Sequence, residues 1–208
     1  MIRRIPLGLA LLMLLTAVCG ASFAEAADTE APANILVAFF SRSGENYNVG
    51  TVEKGNTHIV AEIIAQRTGG DLFHIQTVTP YPESYEECTE AAAEERRLNA
   101  RPELNAQVEE MTRYDVIFLG YPIWWGDMPM AVYSFLESYD FSGKTIVPFC
   151  THEGSGLADT VSSIADACPG ATVAQGLAIR GQAAQNERDA ATRSAESWLD
   201  GLGYALAQ

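Results

Sequence analysis

Three short stretches hold residues whose types and spacing could do chemistry. Ser41-Arg42-Ser43-Gly44 and Gly55-Asn56-Thr57 place hydroxyls and glycines at both ends of a polar excursion, Glu45 to Lys54. The first cluster follows an apolar run of strand length, Asn34 to Phe40. The second heads a helical pattern with Ile59, Val60, Ile63 and Ile64 on one face. A strand, a loop of hydroxyls and glycines, and a helix start make an anion site, because free N–H groups and the helix dipole both favour a phosphate. Ser41, Ser43 and Thr57 can donate hydroxyl hydrogen bonds, and Asn56 an amide N–H. Asn56 or Thr57 could equally serve as an ordinary helix N-cap. Neither G-x-G-x-x-G nor G-x-x-x-x-G-K-[ST] occurs, so neither a dinucleotide fingerprint nor a P-loop is present.

The other two stretches suit a flat ring. Trp124 and Trp125 are adjacent in a loop, a platform on which an aromatic ligand can stack, with one of the two free to plug the end of the core. Gly126 lets the backbone come close to a ligand. Thr151, His152, Glu153 and Ser155, with Gly154 and Gly156, can bond a ring edge, or form a strand-to-helix turn capped by Ser155. His152 suits acid–base work or hydrogen bonding, but no dyad or nucleophile constellation accompanies it.

These stretches need a frame. Apolar runs at "NILVAFF", "DLFHIQTV", "YDVIFLGYP", "GKTIVPFC" and "ATVAQGLAI" read as five strands. Helical patterns lie between them: "THIVAEIIAQRT", a long stretch from Pro82 to Met111 broken near Pro102, "MPMAVYSFLESY", "SGLADTVSSIADAC" and a last helix from Gln185 to Gly203. Alternation of this kind gives a parallel sheet with helices on both faces. The three chemistry-bearing loops follow the first, third and fourth strands. They therefore meet at the carboxyl ends of the strands, where ligands bind in such sheets.

Composition narrows the function. The 208 residues suit one domain, and a net charge of −14 argues against nucleic-acid or anionic-membrane partners. Residues 1–26 read as a secretory signal peptide: Arg3-Arg4, an apolar run from Ile5 to Val18, and Ala24-Glu25-Ala26 as the cleavage site. Residues 27–33 form a tail and 34–208 the domain. The run is too short to span a membrane, and Val18 before Cys19 argues against a lipoprotein. The expected location is outside the cytoplasm, in the periplasm. Arg3-Arg4 also resembles the signal for folded-protein export, although Pro6 stands where an apolar residue is usual. Cys88, Cys150 and Cys168 have no metal spacing and read as small buried hydrophobes.

From Asn34 to about Gly181 the chain resembles the flavodoxins. The resemblance rests on "GYP", "WWG", "MPMAV", "SFLESYDFSGKTI", "PFCTH" and "GSG", which stand almost unbroken from Gly120 to Gly156. It implies a doubly wound α/β sheet of five parallel strands, ordered 2-1-3-4-5, with FMN at the switch between strands one and three. By resemblance, Ser41, Arg42, Ser43 and Gly44 with Asn56 and Thr57 hold the phosphate. The excursion separates the two halves of that loop, which is where the chain departs from the family pattern. Pro122, Trp124, Trp125, Gly126, Thr151, His152, Gly154, Ser155 and Gly156 are implied to hold the rest of FMN. The implied function is electron carriage between partner proteins. The alternatives are NAD(P)H-dependent reduction of a quinone or other small molecule, or flavin binding without turnover. So acidic a chain disfavours added negative charge on the ring, lowers its potential and steers basic partners. "DACPGAT", Asp166 to Thr172, resembles a covalent flavin-attachment pattern, but Pro169 occupies the Ser/Thr position and the stretch reads as a helix end.

Overall fold

The computed structural model describes residues 33–204, so the signal-peptide reading, Arg3-Arg4 and Cys19 lie outside the described residues. The apolar run becomes β1 (Ile35–Phe40), and its alternating side chains supply two layers of core. Leu36, Ala38 and Phe40 face one layer, while Val37 and Phe39 face the other. A strand buried on both faces has no place for polar side chains, which is why the run is continuous.

β1 pairs in parallel with β4 (Asp71–Ile75) on one side and β5 (Val116–Pro122) on the other. β6 (Thr145–His152) follows β5, also in parallel. The fifth position is shared: β7 (Thr172–Val173) pairs with the start of β6 and β8 (Leu177–Arg180) with its end. With that split strand counted once, the order is 2-1-3-4-5, as expected. The break has a packing cause. The Trp198 indole donates to the Gln175 carbonyl at 3.0 Å, and a Cβ on Gly176 would stand 2.8 Å from Leu157 Cδ1.

One face of the sheet carries α1 (Asn56–Thr68), α5 (Gly181–Asn186) and α6 (Arg188–Gly201). The other carries α3 (Met130–Glu137) and α4 (Thr160–Ala167). The expected last helix is thus two helices broken at Glu187. The long helical stretch is also shorter than its composition suggests. α2 (Tyr85–Leu98) stops at Asn99, which takes a left-handed cap at φ 50°. Pro102 prevents resumption, and Leu104 instead bridges Thr77 in antiparallel fashion beside the sheet edge. The polar excursion is a hairpin, β2 (Gly44–Asn46) and β3 (Gly50–Val52), whose turn uses Asn48 and Gly50 at positive φ.

Candidate functional site

The site is built where β1 ends and α1 begins. The N-cap of α1 is Gly55, not Asn56 or Thr57, and it has no side chain to cap with. Ser41, at the end of β1, fills that role: its Oγ accepts from the His58 N–H at 3.1 Å. A Cβ on Gly55 would lie 2.2 Å from the Arg42 carbonyl oxygen and 2.4 Å from Ser41 Oγ, so only glycine lets these two loop halves cross. The hairpin therefore leaves the loop halves in contact although ten residues separate them in sequence. Thr57 turns inward, and its Oγ1 pairs with Thr151 Oγ1 of β6 at 2.7 Å, with both residues buried.

The two tryptophans have different jobs. Trp124 packs edge-on against Phe40 and Tyr81, at 5.3 and 5.1 Å between ring centroids, and so closes the end of the core. Trp125 sits at φ 52° with 56 % of its surface exposed, held by its indole N–H donating to the Thr89 carbonyl at 3.0 Å. The reversed turn places the second ring outward, and the following Gly126, at φ 78°, completes it.

The hairpin brings aromatic surface to the same place. Tyr47 at its tip stacks on Tyr85 of α2, with 5.7 Å between centroids. Arg42 clasps the hairpin: its guanidinium donates to the Glu45 carbonyl at 2.7 and 2.9 Å and to the Glu83 carbonyl at 2.8 Å. The Glu45 carboxylate in turn accepts the Tyr85 N–H at the start of α2.

The loop after β6 presents a donor and an acceptor side by side. His152 Nδ1 accepts from the N–H groups of Gly154 and Gly156 at 2.9 and 3.1 Å, so the ring proton resides on Nε2 and that nitrogen donates. Burial, reinforced by nearby Arg180, pushes the His152 pKa down and keeps the imidazole neutral; Glu153 opposes weakly. Glu153 Oε1 accepts from the Gln182 N–H at 2.9 Å. Its Oε2 is buried and has no hydrogen-bond partner among the described residues.

These elements enclose a cavity of about 320 Å³ at the carboxyl end of the sheet. Of the residues singled out in the sequence, Arg42, Asn56, Pro122, Trp124, Trp125, Thr151, His152 and Glu153 line it. Thr57 stands behind Thr151, to which it is bonded, and Ser41 lines a neighbouring cavity. Ser43 is exposed and faces the same cavity, of about 540 Å³. Gly44, at φ 82°, packs the hairpin onto the Glu83 backbone. Gly126, Gly154, Ser155 and Gly156 shape the loops without lining the cavity. Tyr47 and Tyr85, which no sequence motif marks, also line it, as does Cys88, which the sequence marks only as a buried hydrophobe. Tyr85, Cys88 and Ala92 recur at helical spacing along α2 and all reach the wall, a signal readable only once α2 is known to cover the site. Among the described residues Cys88, Cys150 and Cys168 are buried free thiols; burial pushes Cys150 up to about 12 and Cys168 up to about 11. Thr172, at the end of the attachment-like stretch, pairs with Thr145 at the start of β6, the opposite end from the cavity.

A doubly wound sheet with an aromatic-lined cavity at its topological switch defines the flavodoxin class of architecture. The flavodoxin family model matches residues 34–194, and the chain belongs to that family. A candidate flavoprotein from Bacteroides eggerthii DSM 20697 is similar at 27 % identity and TM-score 0.66, over 82 % of this chain and 98 % of the other. One from Bacteroides uniformis ATCC 8492 shares 24 % identity with TM-score 0.65, over 82 % and 99 %. A flavoprotein from Lactobacillus acidophilus NCFM, solved in complex with FMN, shares the fold at 21 % identity and TM-score 0.55, over 70 % and 92 %. No curated protein matches the chain.

Proposed function

We propose that this chain binds FMN in the cavity at the switch between β1 and β5 and carries electrons between partner proteins outside the cytoplasm. The observation that supports this best is the make-up of the cavity's lining. It joins the aromatic rings of Trp125, Tyr47 and Tyr85 to Asn56, at the first turn of α1. The rings suit an isoalloxazine, and the amide with the helix N-terminus suits a phosphate. Bound FMN supplies the redox chemistry. The protein's residues stack on it, exclude water and offer the neutral His152 Nε2–H as a fixed donor. The net charge of −14 disfavours added negative charge in the site and favours a low potential.

The test is the visible spectrum of protein purified after incubation with FMN. A two-peaked flavin band that stays with the protein through desalting supports binding; its absence rejects it. Exposure to NADH or NADPH alone then separates the roles. A carrier keeps its colour until a partner reductase is added, whereas a reductase bleaches at once.

Export is part of the proposal, motivated by the apolar run after Arg3-Arg4. Changing both arginines to lysine keeps a basic n-region. Mature protein outside the cytoplasm at the normal level then indicates ordinary export with FMN supplied afterwards. Stalled precursor indicates export of the folded chain.

A further inference from the structure

We infer that Gln185 of α5 is a positioning residue for the phosphate of FMN: it fixes the Asn56 amide so that its N–H donors are left for the ligand. The inference rests on the FMN reading above and adds to it a residue outside the loops of the site. Its basis is a chain of hydrogen bonds. Gln185 Nε2 donates to the Lys54 carbonyl at 2.7 Å and to Asn56 Oδ1 at 3.0 Å. A carbonyl only accepts, so Gln185 must turn its NH2 group toward Lys54. The second N–H of that group then requires the oxygen of Asn56, not its nitrogen. The orientation of the Asn56 amide thus follows from the Lys54 backbone.

Asn56 Nδ2 is left over. It makes no hydrogen bond among the described residues and, unlike the unpaired Glu153 Oε2, it is not buried. Asn56 lines the cavity, and so does Gly181, four residues before Gln185 on α5. A Cβ on Gly181 would lie 2.2 Å from Asn56 Nδ2, so the amide occupies the room that a side chain there would take. α5 therefore holds the amide twice, by the hydrogen bond from Gln185 and by the missing side chain of Gly181. An amide NH2 only donates, so its match is an acceptor. In the first turn of a helix, where the dipole favours negative charge, that acceptor is best an anion. The phosphate is the anionic group of FMN. Without Gln185 the amide is free to turn over and present Oδ1, which repels a phosphate.

FMN and riboflavin differ by the phosphate alone and so read the effect. Affinities are measured by fluorescence quenching in the full chain, in Gln185→Ala, in Asn56→Ala and in the double variant. The parent binds FMN more tightly than riboflavin. Asn56→Ala lowers FMN affinity by about tenfold or more and leaves riboflavin unchanged. Gln185→Ala lowers FMN affinity severalfold, again with riboflavin unchanged, and adds nothing in the Asn56→Ala background. Gly181→Ala crowds the amide with Gln185 in place and gives the same FMN-only loss, so it carries the test if Gln185→Ala does not fold. Equal losses for both flavins in Gln185→Ala would overturn the inference. So would an unchanged FMN-to-riboflavin ratio with lowered Tm, the mark of a residue that only ties α5 to α1. So would an undiminished effect of Gln185→Ala in the Asn56→Ala background, since Gln185 would then act without Asn56. A parent that binds both flavins equally overturns the inference and leaves FMN binding standing; a parent that binds neither fails the FMN reading itself.

Discussion

Thr57 Oγ1 and Thr151 Oγ1 lie 2.7 Å apart, both buried, and join the first turn of α1 to the end of β6. This bond crosses from the first loop of the site to the third. It makes Thr57 a structural residue as well as a candidate phosphate neighbour, because one hydroxyl of the pair must donate to the other. Thr57→Val leaves a buried hydroxyl unpaired and is expected to cost about 1–3 kcal/mol of stability without any flavin. The double variant Thr57→Val/Thr151→Val should cost less than the sum of the singles, because it removes both partners. Urea unfolding of the four proteins measures this; strict additivity would show that the hydroxyls do not interact.

The unequal placement of the two tryptophans gives a second prediction. Trp125 is exposed and packs little, so Trp125→Ala is expected to leave the unfolding midpoint nearly unchanged. Losing one ring face should weaken FMN by about a factor of two to tenfold beyond lost area, and flavin fluorescence should rise. Trp124 plugs the core against Phe40 and Tyr81, so Trp124→Ala should lower stability by about 2 kcal/mol or more. Calorimetry of both variants with and without FMN checks the split. Equal effects on stability would mean that the reversed turn at Trp125 does not separate their roles.

Much of this was legible in the sequence, and the failures have physical causes. β1 announced itself because a strand covered on both faces must be apolar, and the strand order followed from the flavodoxin resemblance. The convergence of the loops after β1, β5 and β6 followed from parallel pairing alone. What local patterns could not reveal were contacts distant in sequence. That Ser41 also caps α1 shows only once Gly55, a residue with no side chain, is seen to be the N-cap of that helix. The excursion reads as a loop because its strands are three residues each and Tyr47 and Tyr85 are 38 positions apart. The residues after Pro102 have helical composition, but Leu104 finds a partner in Thr77 and leaves the helix.

The clasp on the hairpin is a single guanidinium shared between two carbonyls, those of Glu45 and Glu83. Arg42→Lys supplies a point charge that cannot hold this fork. It is expected to loosen the hairpin without unfolding the sheet, raising amide exchange at Glu45 and Tyr85, whose N–H groups bond across the same junction. Gly44→Ala should do so more strongly, because its φ is 82° and its new Cβ would meet the Glu83 oxygen at 2.8 Å. A cost of about 1–3 kcal/mol is expected for that strained backbone. Exchange at β1 serves as the internal control. If β1 amides exchange faster in step with the hairpin, the whole domain has been destabilised and the clasp is not local.

His58 and His74 give the last prediction, in pH. Both rings pack on Phe39, at 4.8 and 4.7 Å between centroids, and lie 5.4 Å from each other. Burial pushes the pKa of His58 below its ordinary value of 6.5, with Glu62 opposing and His74 and Lys54 reinforcing. Burial likewise lowers His74, opposed by its hydrogen bond to the Ser41 carbonyl at 2.9 Å. Both groups therefore bind protons more readily unfolded than folded. Stability is fully present above about pH 6.5 and declines as pH falls through that value toward the lowered folded pKa values. The urea midpoint of the parent is expected to fall between pH 7.5 and pH 5.5, a window above the ordinary carboxylate range. His74→Gln keeps a donor for the Ser41 carbonyl but cannot take up a proton, so its midpoint should fall less over the same window. A slope as steep as the parent's would show that His74 is not among the groups responsible, and a midpoint rising on acidification would reverse the sign altogether.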